Sequence, residues 1–136
     1  MVVSASALLL SYQFGAISGR RPEAVERLAA VIRQEVRPGD LVGQYRAFGR
    51  NLGFYTHMAH PNYYVDQGVT DILKSPTRVF IVLPLEDLER IESGLGTPLP
   101  RLTSVTLLDT AGVRLRTLLN PDPARDLRTM VLIANR

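Results

Sequence analysis

The aromatic and arginine side chains near the middle of the chain carry the clearest chemical signal in the sequence. Six of the nine aromatic residues fall in one window, together with Arg46 and Arg50: Tyr45, Phe48, Phe54, Tyr55, Tyr63 and Tyr64. An aromatic face offers apolar area to a sugar ring, and a guanidinium offers a donor fork to a phosphate or carboxylate. We therefore predict a sugar- or phosphate-binding site formed by Tyr45, Arg46, Arg50 and Tyr55. The alternative is that these aromatic side chains only fill the core.

The known catalytic patterns are missing. The chain has no cysteine, which excludes a thiolate zinc site, an iron–sulfur cluster and a cysteine nucleophile. Its glycines fit neither the dinucleotide-binding nor the phosphate-binding loop, and there is no nucleophile elbow. His57 and His60 could bind a metal if they share one helix face. A catalytic metal site also needs a third protein ligand and usually a nearby carboxylate, and Asp66 is the only local candidate. We interpret both as surface or partly buried histidines, and expect no metal and no cofactor.

The carboxylates give no acid–base pair. Asp40 belongs to a turn, and Asp109, Asp122 and Asp126 belong to loops. Four others are expected to form the solvated face of one helix: Glu86, Asp87, Glu89 and Glu92. We therefore predict no catalytic residue in this chain.

Length and composition indicate one folded domain. The chain has 136 residues, of which 46% are hydrophobic, enough for a single core. The net charge of +3 is spread evenly along the sequence, which has no concentrated basic region. We therefore predict no nucleic-acid partner. All basic residues but Lys74 are arginines, which favours planar bidentate contacts.

The hydrophobic pattern predicts alternating strands and helices, followed by strands alone. A helix begins at Pro22 with a buried stripe, Leu41–Tyr45 and Tyr63–Val65 are strands, and Thr70–Lys74 is a short helical turn. Arg78–Leu83 is the clearest strand, and Pro84 begins a helix that ends near Gly94 and Gly96. Leu102–Leu108, Val113–Leu119 and Met130–Ala134 suit antiparallel pairing. The predicted fold is a three-layer, Rossmann-like α/β sheet, with parallel βαβ units followed by antiparallel strands.

The first residues have two interpretations. Residues 2–17 are almost uncharged, but polar side chains and Gly15 interrupt them, so they cannot cross a bilayer alone. Residues 1–19 are therefore either the first buried element or the exit of a membrane helix. Residues 20–136 are expected to form a single soluble α/β domain.

Three stretches of the chain together resemble a known domain. They are LVGQYRAFGRNLGFYT at 41–56, RVFIVLPLEDLERI at 78–91, and the end piece from Leu115 to Asn135-Arg136. This order is similar to the carboxy-terminal domain of bacterial membrane glycosyltransferases related to the aminoarabinose lipid A transferase and to dolichyl-phosphate-mannose protein mannosyltransferases. In that family a strand and an LxFYT or LxFYL segment follow the last membrane helix, and a strand with a proline-initiated helix comes next.

The resemblance implies a function without a catalytic residue here. Such enzymes use a polyprenyl-phosphate-linked sugar on the extracytoplasmic, periplasmic face of the inner membrane, and their catalytic carboxylates lie between membrane helices. This chain would then be a non-catalytic domain that caps the membrane-embedded part of the same parent chain and contacts the lipid-linked sugar. Two alternatives remain open: a stand-alone sugar- or phosphate-binding module, and a structural domain that binds a partner subunit.

Overall fold

In the computed structural model, which describes residues 24–47, 52–108, 122, 124 and 127–136, five strands form one mixed sheet. The strands are β1 (Leu41–Tyr45), β2 (Asn62–Tyr63), β3 (Val79–Pro84), β4 (Arg101–Leu108) and β5 (Leu127–Ala134). The helices are α1 (Ala24–Glu35), α2 (Leu52–Thr56), α3 (Asp66–Leu73) and α4 (Leu85–Leu95). The strand order is β2-β1-β3-β5-β4, in which β1 pairs in parallel with β2 and β3, and β5 is antiparallel to β3 and β4. The prediction of a mixed α/β fold is confirmed.

Strand β3 lies at the centre of the sheet and is buried along its whole length. Alternate side chains of a strand point to opposite faces. On one face, Phe80 and Val82 pack in an apolar cluster with Ile32 of α1. On the other, Ile81 packs in a second cluster with Leu88 of α4. The continuous apolar sequence of β3 is thus matched by apolar contacts on both faces.

Helix α1 packs through the apolar stripe that the sequence shows. Leu28, Ala29 and Ile32 are buried at helical spacing. After the last turn, Arg78 donates a hydrogen bond to the carbonyl of Glu35 at 2.9 Å. This bond satisfies a carbonyl that the helix itself leaves free, and so fixes the end of α1 against the start of β3.

Helix α4 begins and ends where its proline and glycine predict. Pro84 is the N-cap, and Gly96 closes the helix in the left-handed conformation, with φ 73° and its N–H bonded to the carbonyl of Glu92 at 2.9 Å. A side chain at Gly96 would be strained by that backbone angle. Leu88 and Ile91 are buried as expected, whereas Leu85 is exposed.

Three elements differ in length from their predictions, and one of them is β5, which begins at Leu127 rather than at Met130. Helix α3 begins at Asp66 and buries Val69 and Leu73, so it is a full helix rather than a short turn. Strand β2 has only two residues. The predicted strand 113–119, the loop residues around it and the start of the chain up to residue 23 lie outside the described residues. Among the helices that are described, none has the length and apolar character needed to span a membrane.

Candidate functional site

Five polar side chains meet at the edge of the sheet where the parallel strands β1 and β3 end. Tyr45 is the last residue of β1, Arg46 follows it, and Asp66 begins α3. Asp87 lies in the first turn of α4 and Arg90 in its second turn. Parallel strands have their carboxyl ends at one edge, and in open α/β sheets this edge is the usual ligand site. We call these five residues the edge cluster.

Arg90 holds the edge cluster together. Its Nε donates to Oδ2 of Asp66 at 2.7 Å, and its Nη2 donates to Oδ1 of Asp87 and to the hydroxyl of Tyr45, the latter at 3.1 Å. The hydrogen bonds to Tyr45, Asp87 and Asp66 raise the pKa of Arg90 above its already high ordinary value. Arg90 is therefore a permanent cation between two carboxylates.

Tyr45 is a fully buried residue whose hydroxyl reaches the edge cluster. The hydroxyl donates to Oδ1 of Asp66. The pKa of Tyr45 is raised, most strongly by burial and next by this hydrogen bond. The hydrogen bonds from Tyr45 and Arg90 lower the pKa of Asp66 below its ordinary value. Asp66 is consequently an ionised acceptor with little tendency to take a proton, and the buried Tyr45 ring has no free face for a sugar.

Arg46 is held more loosely than Arg90. Its backbone is in the left-handed region, with φ 47°, and its Nε donates to the carbonyl of Tyr64 at 3.3 Å. Its terminal nitrogens lie 3.9 Å from Asp66 and 4.0 Å from Asp87, which is ion-pair distance but too long for a hydrogen bond. The side chain is 46% exposed. Arg46 thus presents charged donors at the surface of the edge cluster.

Asp87 is buried, and the prediction that it belongs to a solvated helix face is wrong. Its side chain is only 7% exposed, because its turn of α4 lies at the sheet edge and α3 packs against α4. Oδ1 accepts from Arg90, but Oδ2 is buried with no hydrogen-bond partner among the residues that the structure describes. Asp66 and Asp87, which lie 21 positions apart in the sequence, converge on Arg90.

The structure brings together two of the four residues predicted for the site. Tyr45 and Arg46 belong to the edge cluster. Tyr55 is partly buried against the apolar cluster that contains α1, whereas Tyr45 packs in the cluster on the opposite face. Arg50 lies outside the described residues. Sequence reasoning missed Asp66, Asp87 and Arg90 as site residues, although the helices that follow β2 and β3 both carry an acidic residue in their first turn, which is a usable signal.

The two histidines have separate environments. His57 is exposed, whereas His60 is half-buried, with Nε2 sharing a hydrogen bond with the hydroxyl of Thr56 and Nδ1 lying 3.4 Å from the carbonyl of Val42. Burial lowers the pKa of His60. Asp66, the carboxylate considered with them, is bound to Tyr45 and Arg90 instead. Within the described ranges, no group of three acidic, histidine or cysteine side chains is arranged to hold a metal ion.

The edge cluster is suited to binding rather than to proton transfer. Both carboxylates are engaged by Arg90, and the hydrogen bonds from Tyr45 and Arg90 hold the pKa of Asp66 below its ordinary value. The exposed guanidinium of Arg46 and the unpaired oxygen of Asp87 are a donor and an acceptor that a polar ligand would satisfy. Comparison of the chain with protein-family models, with curated proteins and with solved structures gave no match.

Proposed function

We propose that this chain is a non-catalytic domain that binds a polar ligand of the sugar or phosphate class at the edge cluster. The observation that carries the proposal is a buried acceptor without a described partner, Oδ2 of Asp87, beside the exposed guanidinium of Arg46 at one strand-end edge. Arg46 has terminal nitrogens without a short hydrogen bond, and Asp87 has a buried oxygen without a partner in the described chain. Buried polar groups are nearly always paired, so an unpaired one at a ligand-binding edge indicates a missing partner.

The engagement of the carboxylates supports the non-catalytic part of the proposal. General acid–base catalysis needs a group whose pKa lies near the working pH. The pKa of Asp66 is lowered by Tyr45 and Arg90, in the opposite direction from a carboxylate tuned to donate a proton. If the purified chain alone formed product from an undecaprenyl-phosphate sugar and an acceptor, this part of the proposal would be overturned.

The order of the three sequence stretches that resemble the glycosyltransferase domain supports a second candidate function. In this proposal it is the extracytoplasmic, carboxy-terminal domain of a polyprenyl-phosphate-sugar-dependent glycosyltransferase in the bacterial inner membrane. It would cap the membrane-embedded part of the same parent chain, and the edge cluster would contact the lipid-linked sugar. Helix α2, which carries the LGFYT sequence, leaves Phe54 73% exposed, and in this proposal Phe54 is the residue that contacts the membrane-embedded part. The apolar clusters on the two sheet faces support the finer, three-layer Rossmann-like description of the fold.

The binding proposal is tested by titrating the ¹⁵N-labelled chain with methyl hexosides, inorganic phosphate and sugar phosphates while recording amide NMR spectra. We expect saturable shifts at Arg46, Asp66 and Asp87 with at least one of these classes. If no compound shifts these amides, the proposed function is wrong. The membrane setting is tested separately, by asking whether the chain and the membrane part of such a transferase form a complex that Phe54→Ser weakens.

A further inference from the structure

We propose that the edge cluster recognises hydroxyl groups of an uncharged sugar ring rather than a phosphate. The inference rests on the proposed function, because it names the ligand class of the same site. Three properties of the cluster carry it: its charge balance, the kind of polar atom that lacks a partner, and the loose attachment of Arg46.

The charges of the edge cluster already balance. The two guanidiniums of Arg46 and Arg90 face the two carboxylates of Asp66 and Asp87, with formal charges that cancel. A phosphate group carries about −1.5 to −2 charge at neutral pH and is repelled by neighbouring carboxylates. A phosphate bound by Arg46 would lie beside both aspartates, so a neutral ligand fits this site better.

The unpaired atoms also favour hydroxyl groups. Oδ2 of Asp87 is an acceptor and needs a hydrogen-bond donor, which a fully ionised phosphate does not have. The terminal nitrogens of Arg46 need acceptors. A sugar hydroxyl is both a donor and an acceptor, so two neighbouring hydroxyls can donate to Asp87 while they accept from Arg46.

Arg46 provides the means of access. Oδ2 of Asp87 is covered in this conformation, so a ligand must displace a neighbouring side chain to reach it. Arg90 is tied by short hydrogen bonds, whereas the side chain of Arg46 is held by one hydrogen bond of 3.3 Å, by ion pairs at 3.9 and 4.0 Å, and by its position 5.1 Å from the centre of the Tyr45 ring. Displacing Arg46 therefore breaks fewer of the described hydrogen bonds than displacing Arg90 would.

The test compares two ligand classes in two charge-matched variants. Asp87→Asn replaces the unpaired acceptor with an amide donor and removes one negative charge from the cluster. Glu89→Gln removes the same charge from an exposed residue of the same helix. Asp87→Asn removes the hydrogen bond that a sugar hydroxyl would donate to the charged Asp87 carboxylate. We therefore expect it to raise the Kd for the methyl hexoside about tenfold or more. The same variant should bind inorganic phosphate more tightly, and Glu89→Gln should leave both Kd values unchanged.

A second pair of variants covers the case in which Asp87→Asn does not fold. Arg46→Gly removes the guanidinium at a position whose φ of 47° suits glycine, and His57→Gly makes the same kind of backbone change at φ 57° away from the cluster. We expect Arg46→Gly to lose methyl hexoside binding and His57→Gly to retain it.

The outcomes separate the two proposals. Hexoside binding that weakens in Asp87→Asn and Arg46→Gly, but not in their controls, supports both. Phosphate that shifts the Arg46 and Asp87 amides while hexosides do not overturns this inference and leaves the proposed function standing. If neither hexosides nor phosphates shift these amides, the proposed function is overturned as well, and Oδ2 of Asp87 then binds an internal water only.

Discussion

The hydroxyl of Tyr45 is the part of the edge cluster that a single atom change can test. Tyr45→Phe keeps the fully buried ring and removes the hydrogen bond to Asp66 and the one accepted from Arg90. Tyr64→Phe is the matched control. Tyr64 is 57% exposed, and its hydroxyl accepts a hydrogen bond from Nδ2 of Asn62 at 3.2 Å.

The expected loss follows from what the partners can do afterwards. The ring stays in place, so no cavity larger than one oxygen atom forms and the packing energy is nearly unchanged. Hydrogen bonds to charged groups contribute up to about 3 kcal/mol, but Asp66 and Arg90 are 40% and 46% exposed and can bind water instead. We therefore expect Tyr45→Phe to lower the free energy of unfolding by about 1–2 kcal/mol, and Tyr64→Phe by less than about 0.5 kcal/mol.

Urea unfolding of the wild type and both variants measures this difference, with the m-value unchanged if the unfolded state is unaffected. Carboxyl NMR supplies a second readout. Because the Tyr45 hydrogen bond is the largest cause of the lowered pKa of Asp66, that pKa should rise toward its ordinary value of 3.8 in Tyr45→Phe. Asp66 stabilises the fold above its unfolded-state pKa and loses this contribution as the pH falls through its lower folded-state pKa. If Tyr45→Phe and Tyr64→Phe were equally stable and the pKa of Asp66 did not move, the described geometry of the cluster would be refuted.

Three further changes test the packing of the sheet and of the segments that contact it. Burial lowers the pKa of His60 below 6.5, so stability should fall as the pH drops below about 6.5; His60→Gln should abolish that loss in urea unfolding at about pH 7.5 and 5.5, and an unchanged loss would contradict this origin. Gly43→Ala places a Cβ 2.9 Å from the Tyr63 ring and should lower the free energy of unfolding by about 1–3 kcal/mol in the same assay. An unchanged free energy of unfolding would show that β2 shifts to make room for the Cβ. Asn135→Ala removes an amide that accepts from the N–H of Val79 and donates to carbonyls before β3, and should cost about 2–4 kcal/mol; a cost under about 0.5 kcal/mol would contradict this role.

Much of the fold was predictable because it depends on local pattern. The apolar run Arg78–Leu83 predicted the central strand, and the proline and glycines around α4 predicted its ends. The lengths of α3 and β2 depend on tertiary contacts instead. Helix α3 begins at Asp66, whose side chain is bonded to Arg90 of another helix. Strand β2 ends at Tyr63 because its partner strand leaves the sheet at Arg46, whose left-handed backbone turns the chain.

The site was predictable only in part, for the same reason. Tyr45 and Arg46 were predicted because aromatic and arginine side chains cluster in one stretch of the sequence. The contacts of Tyr45 with Asp66 and Arg90 join residues 21 and 45 positions apart, and no local pattern reports such pairs. Helical periodicity places Asp87 on the polar side of α4, which was interpreted as solvated. That rule fails in the first turn, where the neighbouring helix α3 and the sheet edge cover the polar side.

The burial of Asp87 is the feature that a purely structural account of the edge cluster leaves unexplained. Oδ1 of Asp87 has a structural task, since it pairs with Arg90. Oδ2 has none, and an unpaired buried acceptor costs about 1–3 kcal/mol. Arg90 is also paired with Asp66, so a smaller polar side chain at position 87 would keep the guanidinium neutralised without that cost. A buried acceptor beside the exposed donors of Arg46 is what a site needs when its last hydrogen bond comes from a ligand.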